Sequence, residues 1–128
     1  MFDQLCKHYL SALEQGSLEQ VLSLFETDAV VDSPLYGEVP VERFYTGLFN
    51  DTRSSDTRLI NIFRPENDDQ GAAALHFAYT WTLSNGKRVE FECVDVFELS
   101  AQGKRFSRLK IIYDTAPVRP DFDQNRNP

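Results

Sequence analysis

The chain has 128 residues, one domain's worth, with a formal net charge of −7 and ten Phe, five Tyr and one Trp. That is too ring-rich for a disordered polymer, and it implies a compact interior. An acidic surface repels phosphate, which disfavours nucleic acid and anionic lipid as partners, and no apolar run approaches the roughly 18–20 residues of a membrane helix.

In chain order, Phe2, Leu5, Cys6, Tyr9, Leu10 and Leu13 recur on one face of a 3.6-residue period and predict an amphipathic helix. Gly16 stops it, because glycine takes the left-handed C′ conformation freely. Ser17 with Gln20 three residues on forms a capping box for a second helix striped by Leu18, Val21, Leu22 and Phe25. Ala29-Val30-Val31 reads as a short strand broken at Ser33-Pro34 and Gly37. Pro40 suits the first turn of a third helix, on which Val41, Phe44, Tyr45, Leu48 and Phe49 keep helical spacing. The polar stretch Asn50 to Asp56 reads as a loop.

The period then changes to two, with strands at about 58–64, 72–84, 88–99 and 105–114. Turns fall at Pro65–Gly71, at Asn85-Gly86, a strong hairpin signal, and at Ala101-Gln102-Gly103. Residues 117–128 are polar and proline-bearing, and read as a tail ordered only against a partner. Helices followed by a meander of long strands give an α+β domain at residues 1–116. In it the N-terminal helices pack in the concave face of a curled antiparallel sheet, a cone with room for a cavity.

Cys6 and Cys93 each sit in an apolar pattern, far apart, with no CxxC and no zinc spacing, and read as buried thiols. No metal or organic cofactor is implied. The N-terminus lacks a signal peptide's apolar core, since Asp3, Gln4 and Lys7 interrupt it, and a soluble cytoplasmic protein is expected.

One residue breaks the strand pattern. On the third long strand Val89, Phe91, Cys93, Asp95, Phe97 and Leu99 share the core-facing side, and Asp95 is its polar member. An ionised carboxylate there is costly unless paired or protonated, so Asp95 is either a functional acid or the acceptor of a buried Arg or Tyr that fixes register. Asp32 before Ser33-Pro34 is a second candidate, or a turn-forming Asp ahead of proline. Tyr9 lies on the buried helix stripe, as a site hydroxyl or a core aromatic. His8 reads as solvated and His76 as half-exposed. Phe77, Tyr79 and Trp81 read as core.

The segment Phe25-Glu26-Thr27-Asp28-Ala29-Val30-Val31-Asp32-Ser33-Pro34, the hairpin Asn85-Gly86-Lys87, the strand Cys93-Val94-Asp95-Val96-Phe97 and the run Gly103 to Arg108 together resemble SnoaL-like domains. These belong to the nuclear transport factor 2-like superfamily, with ketosteroid isomerase and limonene epoxide hydrolase. The resemblance implies a cone fold, a small-molecule pocket and two-fold pairing through the sheet. In ketosteroid isomerases it places Tyr9 at the oxyanion-hole tyrosine and Asp95 at the acid held protonated to donate a second hydrogen bond. The general base of that family falls on Ser33, with Asp32 one residue early and facing the other way on a strand. The water-activating set of limonene epoxide hydrolase would need an Arg inside the cone, for which Arg108 is the candidate, and polyketide cyclases use an inward acid that Asp95 would supply.

The expected site therefore comprises Tyr9, Asp32 and Asp95 as acid–base residues, with Ser33, Phe44, Trp81, Arg108 and Tyr113 around them. The expected ligand is a small apolar or carbonyl-bearing molecule, with isomerase, cyclase or hydratase-type proton transfer. The alternative is a non-catalytic ligand-binding or dimerisation domain, with Val94 and Val96 among glutamates on the outer strand face.

Overall fold

A computed structural model describes residues 2–66, 71–101 and 104–128. Helix α1 (Phe2–Gln15) buries Phe2, Leu5, Cys6, Tyr9, Leu10 and Leu13, the stripe its sequence marks, together with Ala12. Gly16 ends it at φ 61°. Ser17 caps α2 (Leu18–Leu22), its Oγ accepting from the Gln20 N–H at 3.2 Å. Strand β1 (Phe25–Ser33) is longer than the expected Ala29–Val31, and is followed by the short β2 (Gly37–Pro40). Helix α3 (Val41–Asn50) has Pro40 as its N-cap, one position before the first turn.

Four strands follow: β3 (Thr52–Phe63), β4 (Ala72–Leu83), β5 (Arg88–Leu99) and β6 (Phe106–Ile112). They form an antiparallel meander, and Gly86 at φ 94° with Asn85 makes the β4–β5 turn. The expected turns at Pro65–Gly71 and Ala101–Gly103 fall largely on residues 67–70 and 102–103, which lie outside the described residues.

The curled sheet has the order β2-β1-β6-β5-β4-β3, and it is mixed rather than wholly antiparallel. Strand β1 runs parallel to β6, pairing Val31 with Leu109 and Asp32 with Lys110. A parallel pair needs a long connection, which α3 and the whole meander supply here. The stretch Asn50 to Asp56, expected as a loop, is mostly strand: Thr52 to Asp56 pair with Leu83 to Thr80 on β4. As an edge strand β3 turns most polar side chains to water at no penalty, and in this stretch only Ser55 is buried.

The helices cover the concave face. Tyr9 meets Phe97 edge-on at 5.2 Å, and Phe97 stacks on Phe106 at 4.0 Å. Residues 117–128, expected as a tail, carry helix α4 (Arg119–Arg126), docked on the body of the same chain. Two apolar residues anchor it, beside polar contacts from Arg119, Asn125 and Arg126. Val118 and Phe122 are buried, and the Phe122 ring lies 5.2 Å from Tyr36 and 6.0 Å from Trp81. Among the described residues no helix is long and apolar enough to cross a membrane.

Candidate functional site

The strand period decides which side chains reach the interior. On β4 every second residue is buried, so Leu75, Phe77, Tyr79 and Trp81 point inward. On β5 the same parity turns Cys93, Asp95 and Phe97 inward and leaves Glu90, Glu92 and Glu98 exposed. Between these strands, α1 and α3 lies a narrow cavity with about 50 Å³ of free space. Since a water needs roughly 10–15 Å³ by that measure, the space admits a small group. Its mouth is marked by the partly exposed Tyr36, Phe91, Ile111 and Tyr113.

Six of the predicted site residues meet here: Tyr9, Ser33, Phe44, Trp81, Asp95 and Tyr113 all line the cavity. Asp32 and Arg108 do not. On β1 Val31 and Ser33 are buried, so Asp32 between them faces the outer side, beside Lys110 of β6 and Glu38 of β2. Arg108 lies half-exposed, its guanidinium 3.3 Å from Glu38 and 3.9 Å from Glu98. An Asp–Arg–Asp set inside the cone is therefore not formed, and among the described residues no Lys, Arg or His lines the cavity.

Asp95 is 1% exposed. Its cross-strand neighbours on the central strand β5 are Leu75 and Ile111, so neither side offers it a cation. Its Oδ1 has no hydrogen-bond partner. Loss of hydration pushes its pKa up to about 8, while the nearby Tyr9 hydroxyl pulls the other way by favouring the anion. The carboxyl is thus mainly neutral at pH 7 and able to donate its proton.

The other polar groups are held by the protein. The Tyr9 hydroxyl lies 2.7 Å from that of Tyr45, and burial raises both phenols well above their ordinary value. Tyr79 shares a 2.7 Å hydrogen bond with Ser55, and the Trp81 Nε1–H donates to Thr52 Oγ1 at 2.7 Å. The Tyr36 hydroxyl donates to Asp51 Oδ2 at 2.6 Å. At the base position of the isomerases, Ser33 Oγ accepts the Leu35 and Tyr36 N–H groups at 3.2 and 3.1 Å, which makes it a turn-former. Cys93 also lines the cavity, and burial raises its thiol, so it is no thiolate nucleophile. Both cysteines are buried and free.

Sequence reasoning did not place Tyr36, Tyr79, Phe91 or Cys93 in the site, nor Tyr45 behind Tyr9. Four of these five lie on the inward periods already recognised as core, and a cavity in the core is invisible to periodicity. Tyr36 sits in a turn with no period at all.

Among the described residues no group of three or more His, Cys, Asp or Glu converges to hold a metal ion. The cavity supplies one neutral acid, phenols and ring surfaces, which suit a single oxygen or nitrogen function on an otherwise apolar ligand.

The family described as SnoaL-like domain has a sequence profile that matches residues 6–107. No curated protein matches the chain by sequence. Among solved structures, PrhC from Penicillium brasilianum superposes with a TM-score of 0.79 at 12% identity, covering 98% of this chain and 87% of that one. A putative aromatic ring hydroxylase from Novosphingobium aromaticivorans gives 0.74 at 18% identity, covering 88% and 85%. The epoxide hydrolase/cyclase-like enzyme SalBIII of pyran ring formation in salinomycin gives 0.74 at 15%, covering 90% and 92%. At these identities the likeness is one of fold.

Proposed function

We propose that this chain, which belongs to the SnoaL-like domain family, binds a small carbonyl-bearing molecule in its cone and moves a proton on it through Asp95. The observation that carries the reading is Asp95 in the lining of an apolar cavity, buried with no cation beside it and with its Oδ1 partnerless. In its neutral form Asp95 donates to a carbonyl oxygen. Tyr9 supplies the second donor when Tyr45 donates to it. As charge develops on that oxygen, both bonds strengthen, and little solvent is present to reorganise.

With Asp32 on the outer face, Asp95 is the one carboxylate that lines the cavity among the described residues. Asp95 is then itself the proton donor and acceptor. A pKa of about 8 suits that role, because general acid–base efficiency peaks when pKa lies near the working pH. Ser33, Phe44, Trp81 and Tyr113 act as wall and positioning residues. The fold neighbours named for hydroxylase and cyclase chemistry support this class of reaction on analogy of fold.

The test is solvent-deuterium exchange into a panel of ketones and enones. Exchange should fall at least about 100-fold in Asp95→Asn, the scale expected for an acid–base group, and stay unchanged in Asp32→Asn. Exchange that survives Asp95→Asn would overturn the assignment.

A second, non-catalytic role rests on the outer sheet face, where Phe63 and Ile112 are 50% and 48% exposed. A homodimer paired through this face would cover them. A monomer at micromolar concentration in sedimentation would remove it.

A further inference from the structure

Within the cavity most polar groups are bonded to the protein itself. Tyr9, Tyr36, Tyr79 and Trp81 each bond to a side chain outside the free space, and Ser33 to backbone N–H groups. Among the described residues, Asp95 Oδ1 is the one buried side-chain N or O atom without a partner. What lines the free space is therefore mostly aromatic surface, with some aliphatic side chains, the Asp95 carboxyl and the Tyr113 hydroxyl. A π-face carries partial negative charge, and a ring-lined site is attractive to a cation and repellent to an anion. Among the described residues Lys, Arg and His are absent from the lining, so none of them competes for the carboxyl. About 50 Å³ of free space limits the occupant to a compact group.

We propose that this cavity also acts as an aromatic cage for a small organic ammonium, its N–H paired with the Asp95 carboxyl and its alkyl groups against Tyr9, Tyr79, Trp81, Phe91 and Tyr113. The inference rests on the cavity of the proposed function but not on its proton transfer. Carbonyl and ammonium ligands select opposite states of one oxygen: the acid donates to a carbonyl, and the carboxylate accepts from an ammonium. Binding of the cation to the empty, protonated site therefore displaces one proton from Asp95 to solvent, and charge balances.

The groups whose charge would act on Asp95 are Cys6 and Tyr9 from α1, Tyr45 from α3, Tyr79 from β4, Cys93 from β5 and Tyr113 beyond β6. Burial raises every one of them, the Cys6 thiol to about 12, so Asp95 titrates alone between pH 6 and 9. Cation affinity is full above a pKa of about 8 and falls tenfold per pH unit below it. A carbonyl ligand shows the reverse slope, losing affinity above pH 8.

The experiment is calorimetric titration of the full chain with dimethylammonium chloride at fixed ionic strength, at pH 6 and pH 9, with isopropanol as the neutral analogue. The expected result is one saturable site at pH 9, about 100-fold weaker at pH 6 as a single group with pKa near 8 requires. Buffers of different ionisation heat should report a proton release that is small at pH 9 and approaches one at pH 6, and isopropanol should give no saturation at pH 9. Asp95→Asn should abolish cation binding, and Phe91→Leu at the partly exposed mouth should weaken it several-fold if the first variant fails to fold. Absence of a saturable site at pH 9, or equal binding by Asp95→Asn or by Phe91→Leu, overturns the proposal. Ketone binding at pH 6 without ammonium binding at pH 9 refutes the cage and leaves the proposed function standing, whereas the opposite pattern refutes the carbonyl reading alone.

Discussion

Strand β5 carries acids on both of its faces, and the two faces treat them oppositely. On the outer face Glu90 lies 2.9 Å from Arg88, Glu92 lies 2.8 Å from His76 and Glu98 lies 3.9 Å from Arg108, with all three carboxylates well exposed. On the inner face Asp95 is 1% exposed with an oxygen that has no partner, and its proton is held to about pH 8. Asp32 shows the same rule from the other direction: one position from the inward Ser33, it lies outside the cavity. What separates a solvated surface charge from a buried neutral acid in this molecule is therefore strand parity, since Asp32 and Asp95 share a residue type and differ in the face they take.

The largest break of this contrast comes from pH. The folded chain holds the Asp95 proton to about pH 8, whereas an exposed Asp ionises near its ordinary value of 3.8. Between those limits the unfolded chain gives up a proton that the folded chain keeps. Stability from this group is thus full below about pH 4, declines by about 1.4 kcal/mol per pH unit and levels off above pH 8. Asp95→Asn removes the slope, so denaturant melts from pH 4 to 9 should shift in the variant's favour by up to about 5 kcal/mol. Parallel curves would mean that Asp95 is not held neutral.

Neighbouring residues on opposite faces give the next test. Phe97→Ala should lose about 3–5 kcal/mol as a fully buried ring is replaced by a cavity, while Glu98→Ala on the exposed face should stay within about 0.5 kcal/mol. Similar losses at both positions would contradict the parity assignment. A smaller effect sharpens the inner face: Tyr9→Phe leaves the Tyr45 hydroxyl without its partner and should cost about 1–2 kcal/mol. It should also move the Asp95 pKa further up, because the group that favours the anion is gone. Smallest of all, Arg108→Ala on the outer face should cost under about 1 kcal/mol, as exposed ion pairs do.

Much of this was legible in the chain where a residue's role is local. The stripe from Phe2 to Leu13, the Ser17 cap and the bounds of β5 at Arg88 and Leu99 follow from periodicity and capping alone. The polarity break at Asp95 does as well, whereas the placing of Tyr9 beside it comes from the family resemblance, and Trp81 and Tyr113 are legible only as members of apolar patterns. What the sequence concealed depends on partners distant in the chain. Thr52 to Asp56 are polar and become strand only because β4 offers its backbone. Strand β1 lies parallel to β6 across seventy residues of intervening chain (Val31 with Leu109, for instance), a pairing no local pattern encodes. Helix α4 is polar almost throughout and is held by Val118, Phe122 and the Arg126 guanidinium over the Tyr36 ring. Tyr36 entered the site by the same long-range route, from a turn.

The account stands on the protonation of one inward carboxyl. Its direct test is a carbon-13 NMR titration of the Asp95 carboxyl between pH 3 and 10, assigned by comparison with Asp95→Asn. A midpoint near 8 is the expected result; a midpoint near the ordinary value of 3.8 would mean that Asp95 is a carboxylate at pH 7, and that the cavity does not hold a neutral acid.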